Sequence, residues 1–242
     1  QAGIFNWARS EWEMAMREQG RDGLRAAAAI ATRENWPSMA IFALGNTGDL
    51  TWYDWRFPLT YVALVEANAE SQGLDTSWIL GLMRSESAMA EDAVSSADAR
   101  GLMQVTPATA KQLARRHALD YSGRQQLLLA EDNVRFGTLY LSDLMDRFAG
   151  NAVLASGAYN AGPRVVDRWL EDGYAGDPVI WIDTLPYFET RDYIPRVMAF
   201  SALYDWRLQR PVIRLSSRMP QIGPHSARDD VRTAEVVCRT PG

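Results

Sequence analysis

Apolar residues return at every third or fourth position along most of this chain, and the two-residue alternation of strands is nearly absent. Such spacing gathers them on one face of a helix. The run 131–149 sets Gly137, Tyr140, Leu141, Leu144, Met145 and Phe148 on one stripe. The run 186–209 does the same with Ile194, Val197, Met198, Ser201, Tyr204 and Leu208. Further helices are predicted over 4–19, 21–34, 36–44, 59–71, 76–89, 107–117, 151–159 and 163–171. TSWILGL, residues 76–82, comes nearest to a strand-like apolar run, but it fits helical spacing better. Stripes of this kind are buried helix against helix, so the expected fold class is all-α.

Local chemistry supports several of these starts. Thr106 precedes Pro107 and Asp177 precedes Pro178. The first residue of each pair offers a side-chain oxygen to free amides, and proline at the first helical position loses no needed N–H. Pro195 falls inside the last stripe, where it either kinks that helix or marks the first turn of another. GNTGDLTWYDWRFP, residues 45–58, breaks the pattern with glycines, aspartates and a proline. A boundary near residue 57 follows. Residues 1–57 read as the last helices of a helical solenoid, which cannot bury their own faces alone. Residues 58–210 form the main domain. Residues 211–242, polar and without periodicity, read as a tail that is extended over the surface or disordered.

Composition narrows the functional classes. The net charge is −5 across 242 residues, against the clustered positive surface that phosphate binding needs, so no nucleic-acid partner is expected. No apolar run approaches a membrane span, and no secretory signal is visible at the start, which opens in helix. Cys238 is the single cysteine; His117 and His225 are the only histidines. These are too few for a convincing metal constellation or a Ser-His-Asp triad, and no metal or cofactor is called for.

Glu86 breaks a rule. In TSWILGLMRSESAM, Ile79, Leu82 and Met83 share a face, and the next position on that face is Glu86. Such a carboxylate has a buried partner, reaches water at the edge of the face, or is kept partly dry for acid chemistry. Three other stretches bear on the choice. SSADARGLMQVTP (95–107) places Gly101 before an apolar pair, as in a loop packing back onto a core. SGAYNAGP (156–163) ends a helix with Tyr159 and Asn160, turns at Gly162 and starts another at Pro163. LPYFETRDY (185–193) holds Glu189 and Arg191, which alone would make a surface ion pair of small value.

Together these stretches resemble the catalytic domain of the soluble lytic transglycosylases over roughly residues 58–210. The carriers are Glu86-Ser87, Gly101 to Gln104, Ala158 to Pro163 and Glu189 to Tyr193, in that order. RFPLTY at 56–61 is similar to the family's entry into that domain, and the preceding helices to the end of its helical superstructure. The resemblance implies a goose-lysozyme-like fold and cleavage of the β-1,4 bond between N-acetylmuramic acid and N-acetylglucosamine in peptidoglycan. Glu86 would be the catalytic acid, then base, leaving 1,6-anhydromuramoyl ends. Ser95, Met103, Gln104, Tyr159, Asn160, Glu189 and Tyr193 would hold substrate or support the site. Dry surroundings should raise the Glu86 pKa, since desolvation disfavours its charged form. The implied location is the Gram-negative periplasm, with glycan strands as partner and cell-wall synthesis or secretion proteins as further candidates. Asp98 stands where the family often has glycine, in a turn that aspartate tolerates. Thr106 replaces a frequent methionine, a change to one apolar wall of the sugar groove. Two alternatives stay open: a lysozyme-like hydrolase using Glu189 as a second carboxylate, and a catalytically silent glycan-binding scaffold.

Overall fold

The structure, a computed structural model, describes residues 2–223, with side chains from Trp7 onward. His225 and Cys238 lie outside the described residues, as does the larger part of the expected tail. Among the described residues all regular structure is helical, with three isolated β-bridges. No described helix is long and apolar enough to cross a membrane. The chain divides into two compact units, residues 1–60 with 88–90, and residues 61–87 with 91 onward.

The first unit contains α1 (Ala2–Arg17), α2 (Arg21–Arg33), α3 (Pro37–Gly45) and α4 (Tyr53–Arg56). Small side chains let its helices approach. Ala27, Ala28, Ala31, Ala40 and Ala43 pack with Met39 and Leu44, and Trp12, Met16, Trp36 and Trp55 close over them. The glycine- and aspartate-rich stretch that breaks the helical pattern is tied down by Asp49. Its carboxylate accepts from Arg25, the backbone and hydroxyl of Thr51, and the Trp52 indole. These donors hold that carboxyl well below the usual carboxylate range, the Thr51 hydroxyl contributing most.

The second unit is built on a helix buried nearly all round. It contains α5 (Val62–Gln72), α6 (Thr76–Ser87), α7 (Pro107–Arg116), α8 (Ala130–Arg147), α9 (Ala152–Ala161), α10 (Pro163–Leu170), α11 (Pro178–Thr184), α12 (Phe188–Arg207) and α13 (Leu215–Arg218). In α6 every residue from Thr76 to Met83 is buried. The stripe at Ile79, Leu82 and Met83 is thus only part of its buried surface. Each fully buried aliphatic side chain there contributes about 1.5–3 kcal/mol.

The partner of α6 is α12, which runs antiparallel to it and is registered at three levels. At one end Asp75 and Asp205 share Arg218. In the middle, a Cβ on Gly81 would meet the Ser201 backbone nitrogen and Oγ at 2.8 Å, so only glycine permits this approach. At the other end Tyr193 reaches Glu86.

Both proline-led caps form as expected: Thr106 Oγ1 accepts from Thr109 N, and the Asp177 carboxylate accepts from Val179 N. One expectation changes and two narrow. Helix 76–89 stops at Ser87, because Ala88 and Met89 take left-handed backbone, φ 51° and 65°. Of the two readings of Pro195, the first turn of another helix is excluded: α12 runs through it. The proline lies on the exposed face, while Tyr193, Ile194, Val197 and Met198 hold the opposite face in the core. Residues 211–223 are pinned rather than loose. Ile213 N donates to Asp205, Arg218 is buried between Asp75 and Asp205, and Ile222 exchanges backbone bonds with Gly176.

Candidate active site

Glu86 sits on the last turn of α6, half-buried. Its Oε1 accepts a 2.5 Å hydrogen bond from the Tyr193 hydroxyl on α12. Burial pushes the carboxyl up from 4.5 to about 7. The Tyr193 bond and the Arg196 charge oppose that rise, and the Glu189 charge adds to it. Desolvation dominates because the ionised form loses its water while only a neutral hydroxyl bonds it.

Two tyrosines complete the surroundings. Tyr193 is buried, and desolvation followed by the Glu86 charge pushes its hydroxyl well above 10. Tyr159, on the last turn of α9, is shifted the same way by the same two causes in the same order. Both therefore stay protonated throughout the range in which Glu86 titrates. The Tyr159 hydroxyl does not donate to Glu86. It donates to the Met103 carbonyl at 2.7 Å, and its ring lies 5.3 Å from that of Tyr140.

The loop 93–105 closes against this end of α6 through backbone contacts. Ser87 Oγ donates to the Leu102 carbonyl at 2.8 Å. Arg100 pairs in backbone bridges with Val94 and Val105. Asp98 takes φ 60°, the left-handed turn it was expected to tolerate, and its carboxylate pairs with Arg100 at 2.6 Å. Gly101 is needed at φ 73°: a Cβ would meet the Leu127 carbonyl at 2.3 Å and Asn133 at 2.4 Å. Gln104, also left-handed at φ 48°, turns its amide back onto the Ala93 and Gly101 carbonyls.

The sequence-derived residues thus separate. Glu86 and Tyr193 touch, and Tyr159 lies near enough for its hydroxyl to respond to the Glu86 charge. Asn160 and Glu189 form a second pair: the Asn160 amide donates to Glu189 at 3.1 Å and accepts from Thr190 at 2.6 Å. Glu189 bonds Asn160 rather than pairing with Arg191, whose guanidinium lies over Phe188 and donates to the Asp183 carbonyl. Gln104 and Ser95 hold the loop. Ser95 is exposed and receives the Ala99 N–H within its own turn. Met103 cannot offer its side chain to a substrate, because it is wholly buried where Gly137 leaves room for it on α8. Its backbone carbonyl, held by Tyr159, is what it contributes.

Sequence reasoning missed two groups. Asn133, on the first turn of α8 and fully buried, accepts from Met103 N and donates to the Arg100 and Leu127 carbonyls. The signal was present as an amide within an apolar stripe, the same kind of exception that marked Glu86. Arg196 was missed because it looks like one of many solvated charges. Among the described residues no group of three or more His, Cys, Asp or Glu is placed to hold a metal ion. His117 instead shares Asp143 with Arg116, tying α7 to α8.

Comparison with known proteins agrees with this arrangement. Residues 63–182 match the transglycosylase SLT domain, and residues 2–50 match the soluble lytic murein transglycosylase L domain. A soluble lytic murein transglycosylase of Salmonella typhimurium is 34% identical over 83% of this chain and 32% of that protein. The solved structure of an inactive glutamate-to-glutamine mutant of the lytic transglycosylase Slt from Pseudomonas aeruginosa superposes with a TM-score of 0.83. It is 38% identical over 87% of this chain and 34% of that one. The 70-kDa soluble lytic transglycosylase of Escherichia coli gives a TM-score of 0.79 at 31% identity, over 86% of this chain and 34% of that one. The chain thus spans about a third of the length of these relatives. A helical unit matching the L domain, followed by a unit in which Glu86 meets Tyr193, places this chain in the soluble lytic transglycosylase family.

Proposed function

We propose that this chain cleaves peptidoglycan without water, breaking the β-1,4 bond between N-acetylmuramic acid and N-acetylglucosamine to leave 1,6-anhydromuramoyl ends. The observation that carries the reading is the carboxyl of Glu86, whose pKa burial raises to about 7 and which accepts a tyrosine hydroxyl on one oxygen. The inactive glutamate mutant among the related structures supports an essential glutamate.

The chemistry follows from the two oxygens. Tyr193 donates to Oε1, so the acid proton is carried on Oε2. That proton goes to the glycosidic oxygen as the bond to C1 breaks, and the 2-acetamido group of the muramoyl residue assists at C1. The carboxylate left behind retains the Tyr193 hydrogen bond, a charge-assisted contact stronger than the one made to the neutral acid. It then takes the proton of the C6 hydroxyl as that oxygen attacks C1 and closes the anhydro ring. Glu86 ends protonated, ready for another cycle. One group serves as acid and base in turn, where most glycoside hydrolases use two carboxylates. Glu189 is engaged by Asn160, which fits binding or support rather than a second catalytic role. The Gram-negative periplasm, where such a substrate lies, is the location this reading implies.

Glu86→Gln keeps an acceptor for Tyr193 but has no proton to give. Turnover of purified sacculi should fall by about a thousandfold or more with the fold intact. Mass spectrometry of released muropeptides separates the chemistries. Anhydro ends are expected, whereas reducing ends would make the protein a hydrolase. Binding without release in the wild type would make it a glycan-binding scaffold.

A further inference from the structure

Helix α12 carries a charge pattern around Tyr193 that the mechanism above does not use. Glu189 lies four residues before Tyr193 and Arg196 three after, so both share its face, one turn to each side. Asp192 pairs with Arg196 at i,i+4. The Arg196 guanidinium carbon lies 5.8 Å from the centre of the Tyr193 ring, the same ring whose hydroxyl holds Glu86. A cation in this place draws on the ring face and acts through the short Tyr193–Glu86 bond as well as across space. Asp192 is 61% exposed and Arg196 38%, so the pair is hydrated and adds little to stability. Its position rather than its strength makes it notable.

We propose that Arg196, held in place by Asp192, is a positioning residue that tunes the Tyr193–Glu86 pair and sets the pH range in which the site works. Among the described residues the charged and titratable groups acting on Glu86 are few. From α12 come Tyr193, Arg196 and Glu189, with Asp192 acting through Arg196; from α9 comes Tyr159. The tyrosines stay neutral there. The charged residues of the 93–105 loop, Asp98 and Arg100, pair with each other. Enclosure favours the protonated acid, Glu189 reinforces that, and Arg196 is the cation that opposes it. The opposition matters chemically. An acid whose proton is held too firmly is a poor donor to a glycosidic oxygen, and its conjugate base too reluctant to form. Arg196 keeps Glu86 near the point where it both gives and regains a proton.

This rests on the catalytic reading of Glu86, so the test reads its titration apart from turnover. The carboxyl of Glu86 is followed by infrared difference spectroscopy across pH, with Glu86→Gln as the blank, in wild type, Arg196→Gln, Arg196→Lys and Asp192→Asn. Arg196→Gln should move the midpoint upward by about half a pH unit or more, and Asp192→Asn should move it downward, because the arginine charge is then unopposed. Arg196→Lys, which keeps the charge, should stay close to wild type. The alkaline limb of anhydro-product formation should follow each midpoint. A midpoint that stays fixed, or moves the same way in Arg196→Gln and Asp192→Asn, overturns the inference even if anhydro products form normally. Absence of anhydro products in the wild type overturns the catalytic reading instead, and leaves the titration to decide the role of Arg196. Should Arg196→Gln not fold, Asp192→Asn at the exposed partner decides alone.

Discussion

The two ends of the α6–α12 pair both bury acids, and they treat them in opposite ways. At one end Asp75 and Asp205, with side chains 4% and 3% exposed, share the Arg218 guanidinium, itself 5% exposed. Asp75 also accepts from Trp78 N as the cap of α6, and Asp205 from Ile213 N. Each charge there has a cation and a backbone donor. At the other end Glu86 is bonded by a neutral hydroxyl, and the cation that opposes its raised pKa, Arg196, is spent partly on Asp192. Asp75 and Asp205 are the more deeply buried and Glu86 only half-buried, yet Glu86 is the acid whose pKa is raised, because compensation differs. Full compensation makes a clamp; withheld compensation makes an acid that keeps its proton.

The largest effect should come from breaking the clamp. Arg218→Met leaves two carboxylates buried without their cation and should cost about 3–5 kcal/mol, read as a large drop in the denaturant midpoint. Retention of wild-type stability would mean that water reaches this end and that the contrast is false. The opposite substitution at the other end should stabilise. Glu86 titrates near 7 when folded and near 4.5 when unfolded, so folding takes up a proton between those values. The resulting cost is absent below pH 4.5, grows as pH rises, and is complete above 7. Glu86→Gln should therefore match the wild type at pH 4 and exceed it by about 1–3 kcal/mol at pH 8, measured by urea unfolding at both. Equal stability at pH 8 would show that Glu86 is well solvated. The smallest effect sharpens the donor's part. Tyr193→Phe removes the bond that lowers the Glu86 pKa, so the alkaline limb of activity should move upward while the rate falls about tenfold.

Much of this site can be read in the chain because it depends on near neighbours. Glu86 stands out against Ile79, Leu82 and Met83, since helical spacing alone sets them on one face. Thr106 and Asp177 cap helices through amides two or three residues away. Gly101 and Asp98 mark turns through their own backbone. Met103 is the instructive exception. Its motif places it in the site, yet its side chain goes into the gap left by Gly137, more than thirty residues away, and only its carbonyl remains. Asn133 and Arg218 likewise depend on distant partners: one amide serves Arg100, Met103 and Leu127, and one guanidinium in an apparently featureless tail bridges two helices.

The sequence by itself determined the helical class, the caps, the break after residue 45 and the one carboxylate that violates an apolar stripe. Each follows from interactions within a turn or two of chain, where spacing and side-chain chemistry suffice. Tertiary structure alone decided that Tyr193 rather than Tyr159 holds Glu86, that Glu189 is engaged by Asn160, and that residues 211–223 clamp the far end of the same helix pair. The first and the last depend on the register between α6 and α12, which is fixed where Gly81 meets Ser201, and the second on how α9 meets α12. A sequence carries no local record of which distant backbone will come that close.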